Sequence, residues 1–184
     1  PYIILAFVVL FFAVFGLIYH RESYKITIDP PKTMNTGWFY GTTEISQLPE
    51  DLNIEKNTPY TIKHTLGEDF ALRKVILVRS SLSNIAVHLN GVLIYEKNFG
   101  DTAFPPYTSL WHFIELPGHS QGSELSLTFS SPYASISGII NEIHYGSYAE
   151  IYNYLFQTFG IRLYIGIFVL FSGLLIMVLS LILF

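Results

Sequence analysis

Cysteine is absent from this chain of 184 residues, so no disulfide bond contributes to its fold. A domain without disulfides depends on its hydrophobic core, which suits a bacterial exterior better than a small disulfide-rich secreted module. Charged residues are also scarce, at 13%, and the net charge of −4 leaves no basic patch. We therefore expect no nucleic acid among the partners of this protein.

The sequence patterns of common catalytic and metal sites are missing as well. The six histidines do not have the spacing of a metal motif such as H-E-x-x-H, and the chain contains no G-x-S-x-G element and no glycine-rich phosphate loop. Glu68 and Asp69 are adjacent in a predicted turn, where paired carboxylates are usually solvated. We expect no catalytic residue, no metal and no cofactor in this chain.

Two long apolar runs, residues 1–19 and 163–184, contain no charged residue. A hydrocarbon core about 30 Å thick is crossed by roughly 20 helical residues, so both runs are long enough to span a bilayer. The sequence thus predicts a transmembrane helix at 1–19, a soluble domain at 20–147, a connecting helix at 148–162 and a second transmembrane helix at 163–184. The lipid bilayer is the first partner this organisation implies.

The first run has a second interpretation, a signal peptide. It is longer than a usual signal-peptide apolar region, and residues 15–19 (FGLIY) offer no A-x-A-like cleavage site, which favours an uncleaved anchor. Because the first residue is Pro1 and the chain ends inside an apolar run, we expect a fragment of a longer multi-pass protein. Two spans place both ends on one side, and we predict that this side is cytoplasmic and the domain extracytoplasmic. A protease that failed to cut the domain on intact cells would overturn this orientation.

The middle of the chain has the pattern of antiparallel β structure. Residues 60–66 and 125–129 alternate apolar and polar side chains, which puts one strand face on a core. Residues 75–78 (VILV) form a continuous apolar run, as expected of a strand buried on both faces. Asn90-Gly91 between two strand-like runs favours a type I′ hairpin. With turn signals recurring along the segment, the fold class we predict is all-β, a sandwich or jelly roll.

One helix signal follows the strands. Ser147 and Glu150 have the spacing of a capping box, and apolar residues then recur at helical intervals. We predict a nearly continuous helix from Tyr148 into the second span, with Gly160 as its weak point and Arg162 at the membrane boundary. The residues assigned to this signal-transmitting helix are Ser147, Glu150, Tyr152, Phe156, Gly160 and Arg162. A helix that merely packs on the sandwich, without a signalling role, explains the same pattern.

Binding is better supported than catalysis, because the domain is rich in aromatic residues that stack on sugars or cyclic ligands. Trp38, Trp111 and Phe113 lie in strand-like runs and have the alternative role of filling the core. The segment 98–107 is long for a hairpin connection and combines a carboxylate, hydroxyls and aromatic rings. The candidate ligand-binding residues are Asp101, Phe104, Tyr107 and Trp111.

Several stretches together resemble a known family. Residues 90–96 (NGVLIYE) resemble the hairpin of galactose-binding-like jelly rolls, such as the sugar-binding domains of β-galactosidases. The fuller resemblance is to the extracytoplasmic input domain of membrane-bound signalling proteins from clostridia-like bacteria. It rests on these further stretches: Leu48-Pro49, Thr58-Pro59-Tyr60, 111–117 (WHFIELP), 125–133 (LSLTFSSPY), 137–140 (SGII) and Gly146-Ser147.

The resemblance implies a sensory input module whose output domain is a GGDEF diguanylate cyclase or, alternatively, a histidine kinase. No GGDEF signature occurs in this chain, so the assignment of that output domain rests on the resemblance alone. The expected partner is an extracellular small molecule, glycan or protein, with a homodimer as a further expectation. A membrane-tethered carbohydrate-binding module and an ancillary domain of a membrane enzyme, such as a glycosyltransferase, are the alternatives.

Overall fold

The computed structural model describes residues 10, 11, 14, 28–99 and 108–183. Within these residues the chain forms a series of short strands, one 3₁₀ turn at Glu68–Ala71 and one long helix, α1, at Tyr148–Leu183. The strands are β1 Lys32–Thr33, β2 Trp38–Tyr40, β3 Thr43–Ile45, β4 Glu50–Asp51, β5 Tyr60–Thr65, β6 Lys74–Ser80, β7 Asn84–Leu89, β8 Val92–Lys97, β9 Leu110–Leu116, β10 Glu124–Ser130, β11 Ile139–Ile140 and β12 Ile143–Gly146.

Two antiparallel sheets form a β-sandwich. The four-stranded sheet has the order β1-β12-β6-β9, and the six-stranded sheet has the order β3-β2-β5-β10-β7-β8. Strands β4 and β11 pair separately as a small third sheet. The predicted sandwich of short antiparallel strands is therefore confirmed.

The core lies between the two large sheets and follows the period-two pattern of the strands. In β5, Tyr60 and Ile62 are 3% and 0% exposed, while Lys63 between Ile62 and His64 is exposed. In β10, Leu125 and Leu127 are both fully buried. These side chains meet Trp38, Ile76, Val78 and Ile114 in one apolar cluster. Trp38 is therefore a core residue, in line with the packing role considered for it.

Strand β6 is buried on both faces, as its continuous apolar run predicts. Ile76 and Val78 point into the core between the sheets, whereas Val75 and Leu77 belong to a second cluster on the outer face of the four-stranded sheet. Ile151 of α1 completes this second cluster and is fully buried. The first turns of α1 therefore cover the outer face of the four-stranded sheet.

The Asn90-Gly91 hairpin also forms as predicted. Asn90 and Gly91 have φ values of 50° and 79°, the pair of positive values that a type I′ turn needs. The Asn90 side chain fixes the turn to the neighbouring strand, because its Oδ1 accepts a hydrogen bond from the backbone N–H of Glu124 at 2.8 Å. The turn thus joins β7 and β8 and contacts the start of β10.

Helix α1 reverses the direction of the chain at the end of β12. Gly146 pairs with Val75, so α1 begins beside that end of β6 and runs back along the sheet toward Arg79 and Trp111. Its segments Tyr148–Gly160 and Arg162–Val178 are bent by 51° relative to each other. The bend lies where the sequence predicts a weak point at Gly160.

Most of the predicted first span, residues 1–19, lies outside the described residues. Leu10, Phe11 and Val14 are described and helical, and the Phe11 ring lies 4.4 Å from the ring of Phe168 in α1. In the described part of the chain no helix taken singly has the length and apolar composition needed to cross a membrane. The two bent segments of α1 meet those criteria only when they are taken together.

Candidate functional site

The candidate ligand loop joins the two sheets at one edge of the sandwich. Asp101, Phe104 and Tyr107 lie outside the described residues, but both ends of the loop are described. The loop leaves β8 at Lys97 and enters β9 at Leu110. On the β8 side, the backbone N–H of Phe99 donates to Oδ1 of Asn84 at 3.0 Å, and Nζ of Lys97 lies 5.5 Å from the Phe99 ring centroid.

A buried polar network connects the two strands from which this loop extends. The His112 ring of β9 lies between Tyr95 of β8, whose hydroxyl is 2.9 Å from Nδ1, and Ser80 of β6, whose Oγ is 2.7 Å from Nε2. His112 is 2% exposed, and its burial, assisted by the charge of Lys97, lowers its pKa to about 4. The ring is therefore neutral at physiological pH and holds the two sheets together next to the loop.

Ser80, His112 and Tyr95 are arranged like a nucleophile, a base and an orienting group. The burial of this network makes catalysis impracticable. Ser80 is 1% exposed, so a substrate atom has no access to its Oγ. Sequence inspection treated His112 as one of several scattered histidines. The sequence did contain a signal that His112 is buried on the inner face of its strand. Alternation along a strand puts His112 on the face opposite to Trp111 and Phe113.

Trp111, the fourth candidate ligand residue, faces helix α1. Its ring lies 6.0 Å from that of Phe159, and the guanidinium carbon of Arg79 lies 5.6 Å from its ring centroid. Phe113 faces the same way and stacks on Tyr152 at 5.1 Å. Both rings are half-buried, so they fill the junction between the sheet and the helix and not the central core.

The helix begins with the predicted capping box. The Ser147 N–H donates to Glu150 Oε2 at 2.8 Å, and the Glu150 N–H donates to Ser147 Oγ at 3.3 Å. Gly146 makes room for this arrangement, because a Cβ at that position would lie 2.3 Å from Glu150 Oε2. The cap therefore fixes the point at which the last strand passes into the helix.

An ion pair and a tyrosine fix the first turn of α1 to the sheet. The Glu115 carboxylate of β9 is paired with Arg73 and accepts a hydrogen bond from the Tyr148 hydroxyl. The Tyr148 hydrogen bond and the Arg73 guanidinium hold the pKa of Glu115 below its usual range, and the same bond raises the pKa of Tyr148. Sequence reasoning did not identify Arg73 and Glu115, which are 42 residues apart in the chain.

The remaining residues assigned to the transmitting helix all lie on α1. Tyr152 and Phe156 are 59% and 56% exposed, although Tyr152 also stacks on Phe113. Gly160 is the last residue before the bend, and the guanidinium of Arg162 lies 5.9 Å from the Phe159 ring centroid. The structure thus brings Trp111, Phe159 and Arg162 together at the point where the helix leaves the sandwich, which we call the exit end.

The described residues contain no group of three His, Asp or Glu side chains placed to hold a metal ion. Asp69 has structural partners, because it accepts hydrogen bonds from Lys32 at 2.8 Å and from Tyr145 at 2.6 Å. Burial and the Asp69 carboxylate raise the pKa of Tyr145 to about 12. This carboxylate therefore links β1, β12 and the 3₁₀ turn.

Comparison with known proteins identifies no protein family and no curated protein that matches this chain. Among solved structures, the chain is similar to a "putative beta-galactosidase from bacteroides fragilis", with 13% sequence identity and a TM-score of 0.34. The matched region covers 62% of this chain and 22% of that protein, so the chain spans less than a quarter of the length of that protein.

Proposed function

We propose that this chain is the extracytoplasmic sensory input region of a bacterial membrane signalling protein. The sandwich, a galactose-binding-like jelly roll in this proposal, receives a small molecule, glycan or protein. Helix α1 passes the change of state to the membrane and to an output module, a GGDEF diguanylate cyclase or a histidine kinase. The identity of the output follows from the sequence resemblance, whereas the geometry of α1 supports the transmitting role.

The observation that carries the proposal is the continuity of α1. One helix packs on the four-stranded sheet through Ile151, bends after Gly160 and continues as an apolar segment. Along that segment most of the described large apolar side chains are exposed, for example Leu163 at 61%, Leu170 at 66% and Ile176 at 61%. A helix that is apolar all round requires an apolar environment, and a bilayer provides one.

The contact between Phe11 and Phe168 supports a second helix in the same bilayer. The least exposed described side chains of the apolar segment, Phe168, Ser172 and Leu175, recur at helical spacing and so share one face. Phe11 packs on this face at 4.4 Å. In our proposal, residues 1–19 form the anchor that lies beside the transmitting helix.

Transmission then requires two arrangements of α1 relative to the sheet, with a ligand favouring one of them. The junction that would change is small: the Trp111–Phe159 contact, the stack of Phe113 on Tyr152, and the contact of His144 with Tyr154, whose ring centroids are 4.6 Å apart. The ends of the candidate loop lie at the same end of the sandwich as Trp111. A ligand held by the loop would therefore act directly on this junction.

The test uses the full chain in lipid nanodiscs. A thermal-shift screen of glycans and small molecules identifies a stabilising ligand. A pair of spin labels, one on the exposed β8 residue Val92 and one on Ile176, then reports whether that ligand changes the distance between sandwich and apolar segment. We expect a ligand-dependent change that is lost when a Gly-Ser linker is inserted after Gly160.

The controls separate transmission from binding. The same linker inserted at the exposed Asn90-Gly91 turn should leave the ligand-dependent change intact. A change that survives insertion after Gly160 would contradict the mechanical role of α1. Ligand binding without any change in the distance would instead favour the tethered carbohydrate-binding module.

A further inference from the structure

Four side chains at the exit end form a continuous stack of charged and aromatic groups. Arg79 lies 5.6 Å from the ring centroid of Trp111, Trp111 lies 6.0 Å from Phe159, and Arg162 lies 5.9 Å from the Phe159 centroid. An arginine therefore covers each end of an aromatic pair. We call these four residues the exit stack.

The exit stack lies where the sandwich meets the apolar part of α1. Arg79 and Trp111 are register partners near the last pair of β6 and β9, at the end toward which α1 runs. Phe159 is the last side chain before Gly160 and the 51° bend, and the uncharged segment begins at Leu163, directly after Arg162. Arginines in this position are close to any surface into which the segment inserts.

The two arginines of the stack differ in their partners from Arg73, the remaining arginine among the described residues. Arg73 is paired with Glu115, whereas within residues 28–99 and 108–183 neither Arg79 nor Arg162 has a carboxylate oxygen at ion-pair distance. Each guanidinium carbon lies over an aromatic ring at the distance of a cation–π contact. An arginine in such a contact keeps its charge and its N–H donors, which are the groups that a phosphate binds.

Lys97 adds a third cation to the same end. Its charge contributes to the lowered pKa of His112, the neighbour of Trp111 in β9, and its Nζ lies 5.5 Å from the Phe99 ring centroid. One described carboxylate, Glu142, also lies at this end, directly before the β12 residue that pairs with Val78, and it is 3.6 Å from His144 Nε2. Arg79, Lys97 and Arg162 give an anionic partner three cations to contact at the exit end.

We infer that the exit stack is a docking site for anionic phospholipid headgroups in the bilayer that surrounds residues 163–183. This inference rests on the membrane placement in the proposed function and adds the lipid class and the residues that bind it. Arg79 and Arg162 bind headgroup phosphates, and the Trp111–Phe159 pair keeps the two guanidinium groups in place. The bilayer surface thereby fixes the sandwich close to the bend in α1.

Quenching of tryptophan fluorescence tests this inference on the full chain. The chain is reconstituted in phosphatidylcholine nanodiscs that contain nitroxide-labelled phosphatidylglycerol or, in a parallel sample, nitroxide-labelled phosphatidylcholine. Trp111 reports on lipid near the stack, and a Trp111→Phe variant gives the background from Trp38, which is fully buried. We expect stronger quenching of Trp111 by the anionic lipid, and loss of this preference at high salt.

Substitutions of the arginines identify the groups responsible. Each Arg→Gln change should reduce the preference for the anionic lipid by about fivefold, since one cation near an anionic surface has an effect of that size. The matched R79K/R162K pair keeps both charges and should keep the preference. Undiminished preference in R79Q/R162Q would overturn the assignment, as would its loss in R79K/R162K.

The same samples separate this inference from the proposed function. A chain that does not remain with the nanodiscs during size-exclusion chromatography would contradict the membrane placement itself. A chain that remains with them but shows equal quenching by both lipids would overturn the docking site alone. Inorganic phosphate that stabilised the chain in detergent as strongly as phosphatidylglycerol would reassign the stack to a soluble anion.

Discussion

Acidification is expected to destabilise the sandwich through the buried ring of His112. The ring is 2% exposed and lies between the Tyr95 hydroxyl and Ser80 Oγ. Burial and, to a smaller extent, Lys97 lower its pKa from 6.5 to about 4 in the folded state. Because the unfolded chain keeps the ordinary histidine pKa, the two states bind different numbers of protons between these values.

The sign and size of the effect follow from that difference. From about pH 6.5 down to about pH 4 the unfolded chain binds a proton that the folded chain does not, so the free energy of unfolding falls as the pH falls. Each unit of pKa corresponds to about 1.4 kcal/mol, and the total loss from His112 is therefore about 3 kcal/mol. Below about pH 4 both states bind the proton, and this contribution stops changing.

Chemical unfolding of the full chain in detergent micelles, followed by the fluorescence of Trp38 and Trp111, measures this dependence. Burial also lowers the pKa values of His64 and His144, so the wild type alone does not isolate His112. A His112→Gln variant should be less stable at pH 7 but should lose less stability on acidification. The difference in the free energy of unfolding between wild type and variant should therefore shrink by about 3 kcal/mol from pH 7 to about pH 4.

A Tyr95→Phe variant is the matched control, because it removes one hydrogen bond and keeps the titrating ring. It should be less stable than the wild type by about 1 to 3 kcal/mol while retaining the steep dependence on pH. Parallel curves for the wild type and His112→Gln would refute the reasoning, since they would mean that His112 binds its proton equally well in the folded and unfolded states.

Three further predictions concern the junction between sheet and helix. Gly146→Ala places a Cβ against the Glu150 carboxylate and should cost about 1 kcal/mol by opening the capping box, whereas Gly118→Ala, with 3.6 Å to the nearest atom, should cost less. Leu77→Ala should lower the free energy of unfolding by about 2 to 5 kcal/mol because Leu77 is fully buried between sheet and helix, while Leu72→Ala, at a position 74% exposed, should change it by less than about 0.5 kcal/mol. A double-mutant cycle of Trp111→Ala and Phe159→Ala should give a coupling of about 0.5 to 1.5 kcal/mol, and additive effects would show that the two rings do not stabilise each other. All three are measured by chemical unfolding in micelles.

The features that sequence predicted well are those fixed by short-range chemistry. Asn90-Gly91 specifies a hairpin because both residues accept positive φ, and Ser147 and Glu150 form a cap because they are three residues apart. The continuous apolar run in β6 also predicted burial on both faces. It did not tell which element covers the second face, because that depends on the return of α1 across the sheet.

The parts of the site that sequence did not predict depend on contacts between distant strands. Trp111 was considered either a core residue or a ligand residue, and its contact with Phe159 arises only once α1 runs back along β9. The network of Ser80, Tyr95 and His112 joins three strands from both sheets, and Arg73 meets Glu115 only through the pairing of β6 with β9. The predicted ligand residues Asp101, Phe104 and Tyr107 stay predictions, since they lie outside the described residues.

The geometry of the exit end limits what the proposed sensor can transmit. The ends of the candidate loop, the His112 network, the exit stack and the bend after Gly160 all lie at this end, so a ligand in the loop needs no relay through the sandwich. If it acted only by making or breaking the Trp111–Phe159 contact, the available free energy would be about 1 kcal/mol. That amount shifts a two-state equilibrium by roughly fivefold, far less than the 10⁴-fold needed for a complete switch. A stronger response requires the ligand to change several contacts of the junction together, including the packing of Ile151 on Val75 and Leu77.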